Sequence, residues 1–347
     1  MGMMAATDAV LTVDLAAVVA NWRVLCATHG GGAVAAVVKA DGYGLGAVPV
    51  ARALLGAGCR QFFVAQLAEG LALREALGPG VVVVVLNGFA AGADGLAELT
   101  PVLNSLADVA AHAGRPAILH VDTGMARLGV PPEEWGQLSG LMPLYLMSHL
   151  ACADQPRHPL NAQQAERFAA ARVRFPGVKT SLAASSGIFL GPNFASDLAR
   201  PGCALYGLNP TPAAANPMRQ VVTLTAPVLQ LRNIPAGASV GYGAAWVAAR
   251  PSRVATVACG YADGYLRSLS GNSVGSFQGQ PVPLIGRVSM DLLTFDVTDL
   301  PGLRTGDPLV LIGPGCTPDE LGERAGTIGY EILTSLGARY RRQYLPA

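Results

Sequence analysis

Lys39 ends an apolar run, AVAAVV, and is followed at once by Ala-Asp-Gly-Tyr-Gly-Leu-Gly. A lysine directly after a buried strand loses solvation, which lowers its pKa and makes the amine a usable nucleophile for Schiff-base chemistry. The same spacing fits a strand-terminal lysine that reaches back to solvent. Gly42, Gly44 and Gly46 around Tyr43 would let backbone approach a ligand closely, and they fit a plain loop equally well. Arg127, His149, Ser186 and Arg200 also follow short apolar runs. Taken one at a time, each has a bland alternative: the arginines as surface ion-pair partners, His149 as a satisfied core histidine. Tyr242 and Met290, further along, read singly as a half-buried aromatic and core filler.

The elements that must carry these residues alternate. From about residue 13 to 209, runs at Ala33–Val38, Phe62–Ala65, Val81–Leu86, Pro101–Leu103, Ala117–Val121, Leu144–Met147 and Thr180–Leu182, with a weak one near Leu198, read as strands. Between them Val48–Ala57, Leu67–Leu77 and Ala162–Arg174 have apolar spacing suited to helices packing on a sheet. Eight strand–helix units predict an α/β fold of the TIM type, a (β/α)₈ barrel. An open doubly wound sheet would leave units unexplained. In a barrel, chemistry gathers at the C-terminal ends of the strands, where Lys39, Arg127, His149, Ser186 and Arg200 fall.

The proline-rich Asn209–Pro217 predicts a boundary, with a barrel over 13–209 and a mostly β domain over 217–347. Strand-like runs there are Val221–Leu231, Arg253–Cys259, Val282–Ile285, Leu292–Val297 and Pro308–Ile312. Residues 1–12 could join the second domain, since Val10–Val13 reads as a strand of either.

Composition excludes several classes. The chain has 347 residues, 51% hydrophobic and 14% charged, but its densest aliphatic run, Val81–Leu86, is far short of the ~20 residues a membrane span needs. Net charge is +1 with dispersed basic residues, so no nucleic-acid footprint is expected. Nothing in Met1–Asp14 reads as an export leader, and Cys26, Cys59, Cys152, Cys203, Cys259 and Cys316 show neither CxxC pairing nor metal-ligand spacing. A cytoplasmic protein without a metal site is expected.

Eight segments in order, Lys39–Gly46, His120–Gly129 (HVDTGMARLG), Ser148–Asp154 (SHLACAD), Arg200–Gly207 (RPGCALYG), Val240–Gly243 (VGYG), Gly260–Gly264 (GYADG), Gly286–Asp291 (GRVSMD) and Tyr330–Glu331, resemble signatures of the alanine racemase family. The resemblance implies pyridoxal 5′-phosphate (PLP) as cofactor, bound covalently by Lys39. Lys39 would also be the base on the face that handles D-alanine, and Tyr242 the opposite base, reaching the site from a second subunit. Tyr43, Ser186, Gly202, Cys203 and Tyr330 would hold the phosphate. Arg127 would contact the cofactor and the substrate carboxylate, and Met290 of the second subunit would supply a backbone N–H to that carboxylate. His149 would pack on the cofactor ring and bond to Arg200, which would face the pyridine nitrogen. Asp154, Tyr261 and Tyr265 would line the entrance. The assembly implied is a homodimer with composite sites, making D-alanine for peptidoglycan.

Two bases on opposite faces are what racemisation requires, because a proton leaves one face of the α-carbon and returns to the other. An arginine at the ring nitrogen does not give up its proton, so the cofactor stays a weaker electron sink, which favours racemisation over decarboxylation. Four positions depart from the family pattern. His120 stands where many members carry a carbamylated lysine, Gly241 where serine often precedes the tyrosine, Ser185 where asparagine often stands, and Tyr265 in place of a common tryptophan. The nearest competing function is a serine or broad-specificity racemase, which Tyr330, leaving little room beside the substrate methyl, disfavours. A non-catalytic PLP-binding barrel would need neither Tyr242 nor Met290. A metal-assisted PLP lyase would need a His/Cys pair in the C-terminal half, yet every histidine lies before residue 160.

Overall fold

The computed structural model describes residues 8–347, and residues 1–7 of the segment read above as a possible part of the second domain lie outside it. The chain divides into two compact units, one of Ala16–Arg219 and one in which the strand β1 (Val10–Asp14) joins Gln220–Pro346.

In the first unit every expected strand forms. They are β2 (Ala33–Val34), β3 (Ala36–Val37), β4 (Gln61–Val64), β5 (Val82–Val85), β6 (Thr100–Leu103), β7 (Ile118–His120), β8 (Tyr145–Met147), β9 (Lys179–Ser181) and β10 (Leu198–Ala199). β3 to β9 pair in parallel in sequence order, and β10 pairs in parallel with β2. The bond from the Arg200 N–H to the Ala183 carbonyl, 2.9 Å, links the last two staves and closes the barrel. The run Ala33–Val38 is thus two strands, one facing β10 and the other β4. Helices Ala47–Ala57, Leu67–Leu77 and Pro159–Arg172 follow β3, β4 and β8. Phe62, Phe63, Ile118 and Leu119 on the strands are fully buried, as expected of parallel strands covered on both faces.

The second unit is mostly β. Its strands are β1, β11 (Val222–Ile234), β12 (Ser239–Val240), β13 (Trp246–Val247), β14 (Ser252–Ala258), β15 (Val274–Phe277), β16 (Gln280–Ile285), β17 (Leu292–Asp296), β18 (Pro308–Ile312) and β19 (Arg341–Leu345). The main sheet runs β14-β17-β16-β15-β18-β11-β1-β19, and β14 also pairs with β11, which bends at an irregularity between Val228 and Gln230. Six strands therefore form a closed ring, with β1 and β19 as a two-strand extension. β1 lies antiparallel to β11 and parallel to β19, so Val10–Val13 belongs here. Tyr242 stands in the turn between β12 and β13.

Candidate active site

Lys39 leaves β3 into an unusual turn. Ala40, Asp41, Gly42 and Tyr43 all have positive φ, at 53°, 50°, 62° and 55°. Three of these are not glycine, and each such residue costs about 1–2 kcal/mol in a left-handed conformation. The turn is held from outside. Glu69 Oε1 accepts the Ala40 N–H at 2.6 Å, and its Oε2 accepts the N–H groups of Ala65 and Gln66 at 2.8 and 3.0 Å. Asp41 Oδ1 accepts the Ala47 N–H at 2.9 Å. Burial and the neighbouring Arg127 hold the Lys39 amine below its usual pKa, with Glu69 opposing them.

Tyr43, buried, stacks on Tyr206 with ring centroids 4.7 Å apart, and the Tyr206 hydroxyl donates to the Val37 carbonyl at 3.1 Å. The Tyr43 hydroxyl lies against Gly202 so closely that a Cβ there would sit 2.1 Å from it. The Gly202 and Ala204 N–H groups donate to Ser185 Oγ at 3.0 and 3.3 Å. Tyr43, Gly202 and Cys203 are thereby gathered, with Ser186 at the start of the next short helix, Ser186–Phe189. Ser185, the residue that ties Gly202 and Ala204, was not singled out as a site residue.

Arg200, 5% exposed, donates to the Ser148 carbonyl at 2.7 Å and to Ser181 Oγ. Among the described residues its hydrogen bonds go to these two oxygens rather than to the His149 ring, where the resemblance placed one, and they engage two of its five N–H groups. Among the described residues it forms no ion pair within 4 Å, and burial lowers its pKa to about 10. His149 is anchored through its carbonyl, which accepts from Gln164 Nε2 at 2.9 Å; burial and the charges of Arg200 and Arg127 depress its ring to about 3. His120 Nδ1 meets Asn104 Oδ1 at 2.8 Å, while the Asn104 amide donates to the carbonyls of Leu86 and Val102. Asn104 Oδ1 is thus the acceptor and His120 Nδ1 carries the proton. Burial, then Arg200, depress His120 to about 4, so it is neutral. Arg127 rides on a loop drawn together by Asp122, whose Oδ1 accepts the N–H groups of Gly124 and Met125 at 2.8 and 2.9 Å. Asp154 is exposed in the loop after His149.

In the second unit Tyr242 is 71% and Met290 53% exposed, and Tyr261 and Tyr330 also reach the surface. Among the described residues the Met290 N–H donates to no other group. Tyr265 is different. Gly264, at φ 93°, turns the chain inward, leaving Tyr265 2% exposed with its hydroxyl 2.7 Å from Ser273 Oγ. It packs the interior of this unit rather than an entrance.

The donor set of the first unit fits PLP. It offers one amine of depressed pKa, hydroxyls and backbone near Gly202 for a phosphate, and a buried arginine whose charge no carboxylate neutralises. The alanine racemase N-terminal domain matches residues 13–210, and the C-terminal domain of that family matches residues 221–344. The chain is 55% identical to an alanine racemase of Acidiphilium cryptum, over 96% of this chain and 97% of that protein. It is 50% identical to a catabolic alanine racemase of Mesorhizobium japonicum, over 98% and 94%. The crystal structure of the Bartonella henselae alanine racemase with covalently bound pyridoxal phosphate superposes with a TM-score of 0.92 at 40% identity, covering 98% of this chain and 100% of that one. With both family domains matched in order and half the residues shared with these relatives, the chain belongs to the alanine racemase family.

Proposed function

We propose that this chain interconverts L- and D-alanine with PLP as a cytoplasmic homodimer, and that its D-alanine feeds peptidoglycan. The observation that carries the reading is Lys39 at the C-terminal end of a barrel strand, its amine depressed beside Arg127, in the same unit as a buried Arg200 without an anionic partner. When bound, PLP supplies the electron sink that acidifies the α-hydrogen of an amino acid.

The chain's own groups do the rest. Lys39 Nζ, its pKa lowered by burial and by Arg127, takes or returns the proton on the face that handles D-alanine. The Tyr242 hydroxyl of a second copy handles the other face, and its exposure in the single chain is what a residue awaiting a partner requires. Arg127 and the Met290 N–H bind the substrate carboxylate, fixing the α-hydrogen toward one base or the other. Tyr43, Ser186, Gly202, Cys203 and Tyr330 bind the phosphate, and His149 packs on the cofactor ring. Arg200 donates toward the ring nitrogen and keeps a proton off it. Asp154 and Tyr261 line the entrance. In favour of the cytoplasm, all six cysteines are free thiols, and no helix among the described residues is long and apolar enough to cross a membrane.

The test is chiral analysis after incubating PLP-loaded protein with L-alanine and, separately, with L-serine. Rapid D-alanine formation with slow serine turnover supports the reading; faster serine turnover moves the chain to a serine or broad-specificity racemase, and no turnover of either refutes it.

A further inference from the structure

The turn Gly260–Gly264, which carries Tyr261, and the turn Ser289–Leu292, which carries Met290, form one mechanical body. The Tyr261 N–H donates to the Ser289 carbonyl and the Ala262 N–H to the Met290 carbonyl, both at 3.0 Å. Gly260 lies so close that a Cβ there would stand 2.3 Å from the Met290 oxygen. The Ser289 turn is closed on itself by the Leu292 N–H donating to Ser289 Oγ at 3.2 Å and by Ser289 Oγ donating to the Leu292 carbonyl at 2.6 Å.

One side chain bridges the two turns. Arg339 Nε lies 3.2 Å from Asp263 Oδ1, and Arg339 Nη1 donates to Asp291 Oδ1 at 2.8 Å. Asp263 is buried and already committed: its Oδ2 accepts the Gly260 N–H at 2.8 Å and its carbonyl accepts the Gly337 N–H at 2.9 Å. Asp291 is half-exposed and immediately follows Met290. The guanidinium therefore links a fixed carboxylate to a half-exposed one on the residue that follows Met290, and a planar fork holds both directions at once where an ammonium cannot.

We propose that Arg339 is a positioning residue for substrate binding, acting through Asp291 to fix the direction of the Met290 N–H. This rests on the reading of Met290 as a donor to the substrate carboxylate.

The experiment compares the PLP-loaded wild type with Arg339→Ala, Arg339→Lys, Asp291→Asn and the Arg339→Ala/Asp291→Asn double variant, with Arg250→Ala as control. Arg250 pairs with Asp299 on the surface of the same unit, and its side chain has no hydrogen bond to either turn among the described residues. Arg339→Ala should raise KM for L-alanine about tenfold, the scale of one lost charge-assisted hydrogen bond, with kcat within about twofold of wild type. Arg339→Lys, which keeps the charge and not the fork, should keep the melting temperature and still raise KM. The double variant should be no worse than the worse single one. Amide exchange over 260–264 and 289–292 should quicken in Arg339→Ala, a readout independent of which amino acid is turned over. Unchanged KM, a fall in kcat alone, multiplicative single effects, or unchanged exchange would overturn the proposal. An inactive wild type with the expected exchange difference would instead count against the racemase reading and leave the clamp standing.

Discussion

Gly202→Ala should damage cofactor binding out of proportion to the single methyl group it adds. The new Cβ would stand 2.1 Å from the Tyr43 hydroxyl, 2.8 Å from its Cζ and 3.3 Å from its Cε2. Neither side can yield cheaply. The ring of Tyr43 is trapped on buried Tyr206, whose hydroxyl is bonded to Val37, and the Gly202 backbone is held by Ser185. Overpacking of this kind costs about 1–3 kcal/mol. Spent wholly on the phosphate-binding arrangement, that is a roughly 5- to 150-fold loss of PLP affinity. Spent on the fold, it appears as a lower melting temperature of the PLP-free protein. Fluorescence titration with PLP and thermal unfolding of the PLP-free form together measure both parts, and the sum should fall in that range. Tyr43→Ala removes the obstacle, so Gly202→Ala in that background should add almost nothing. If Gly202→Ala binds PLP and melts like wild type, or if its cost is the same with and without Tyr43, the packing account of this site is wrong.

Three further outcomes follow from the geometry. Glu69→Gln keeps shape but loses the charge that gathers three N–H groups and braces Ala40 in its left-handed conformation; denaturant unfolding should show a loss of about 1–3 kcal/mol. His120 and His149 are depressed to about 4 and about 3 from 6.5, so the unfolded chain binds more protons between those limits, and stability should fall as pH drops below about 6.5 and continue falling to about 3. Replacing either by glutamine should flatten that acid limb in urea titrations of the PLP-free protein; an unaltered pH slope in both variants would show that neither ring is held neutral. Lys39→Ala and Tyr242→Phe, each inactive alone, should recover part of their activity when subunits are exchanged, and verified exchange without recovery would rule out sites shared between copies.

The barrel was legible because parallel strands covered on both faces are written as short apolar runs punctuated by glycine and proline, and such runs need no partner to be recognised. The split of Ala33–Val38 was not, since its two halves differ only in which strand they face. In the β unit, Val274–Phe277 carries Gly-Ser at its centre and Arg341–Leu345 opens on two arginines, so neither reads as a strand alone. Lys39 stood out by type and position, whereas Glu69 could be read only as a helix-capping residue three places after Gln66; its bond to Ala40 spans 29 residues of chain. Ser185 was noted only as a departure from the family pattern, since its bonds to Gly202 and Ala204 span 17 and 19 residues of chain, and Tyr265, given to the entrance by the resemblance, follows a left-handed glycine and is buried against Ser273.

The position of β1 bears on how the chain is assembled. This strand is made first, yet its partners β11 and β19 are made more than 200 residues later. The barrel is continuous in sequence and can be completed while the rest is still on the ribosome. Throughout that interval Leu11 and Val13, fully buried in the finished sheet, have no sheet to enter. β19 pairs with β1 alone, so a fragment beginning at Gln220 would lose the last strand of its sheet as well as the first. The β unit is thus stitched from two segments on either side of the barrel, and a nascent chain released before the second is made would present an open β edge to its neighbours.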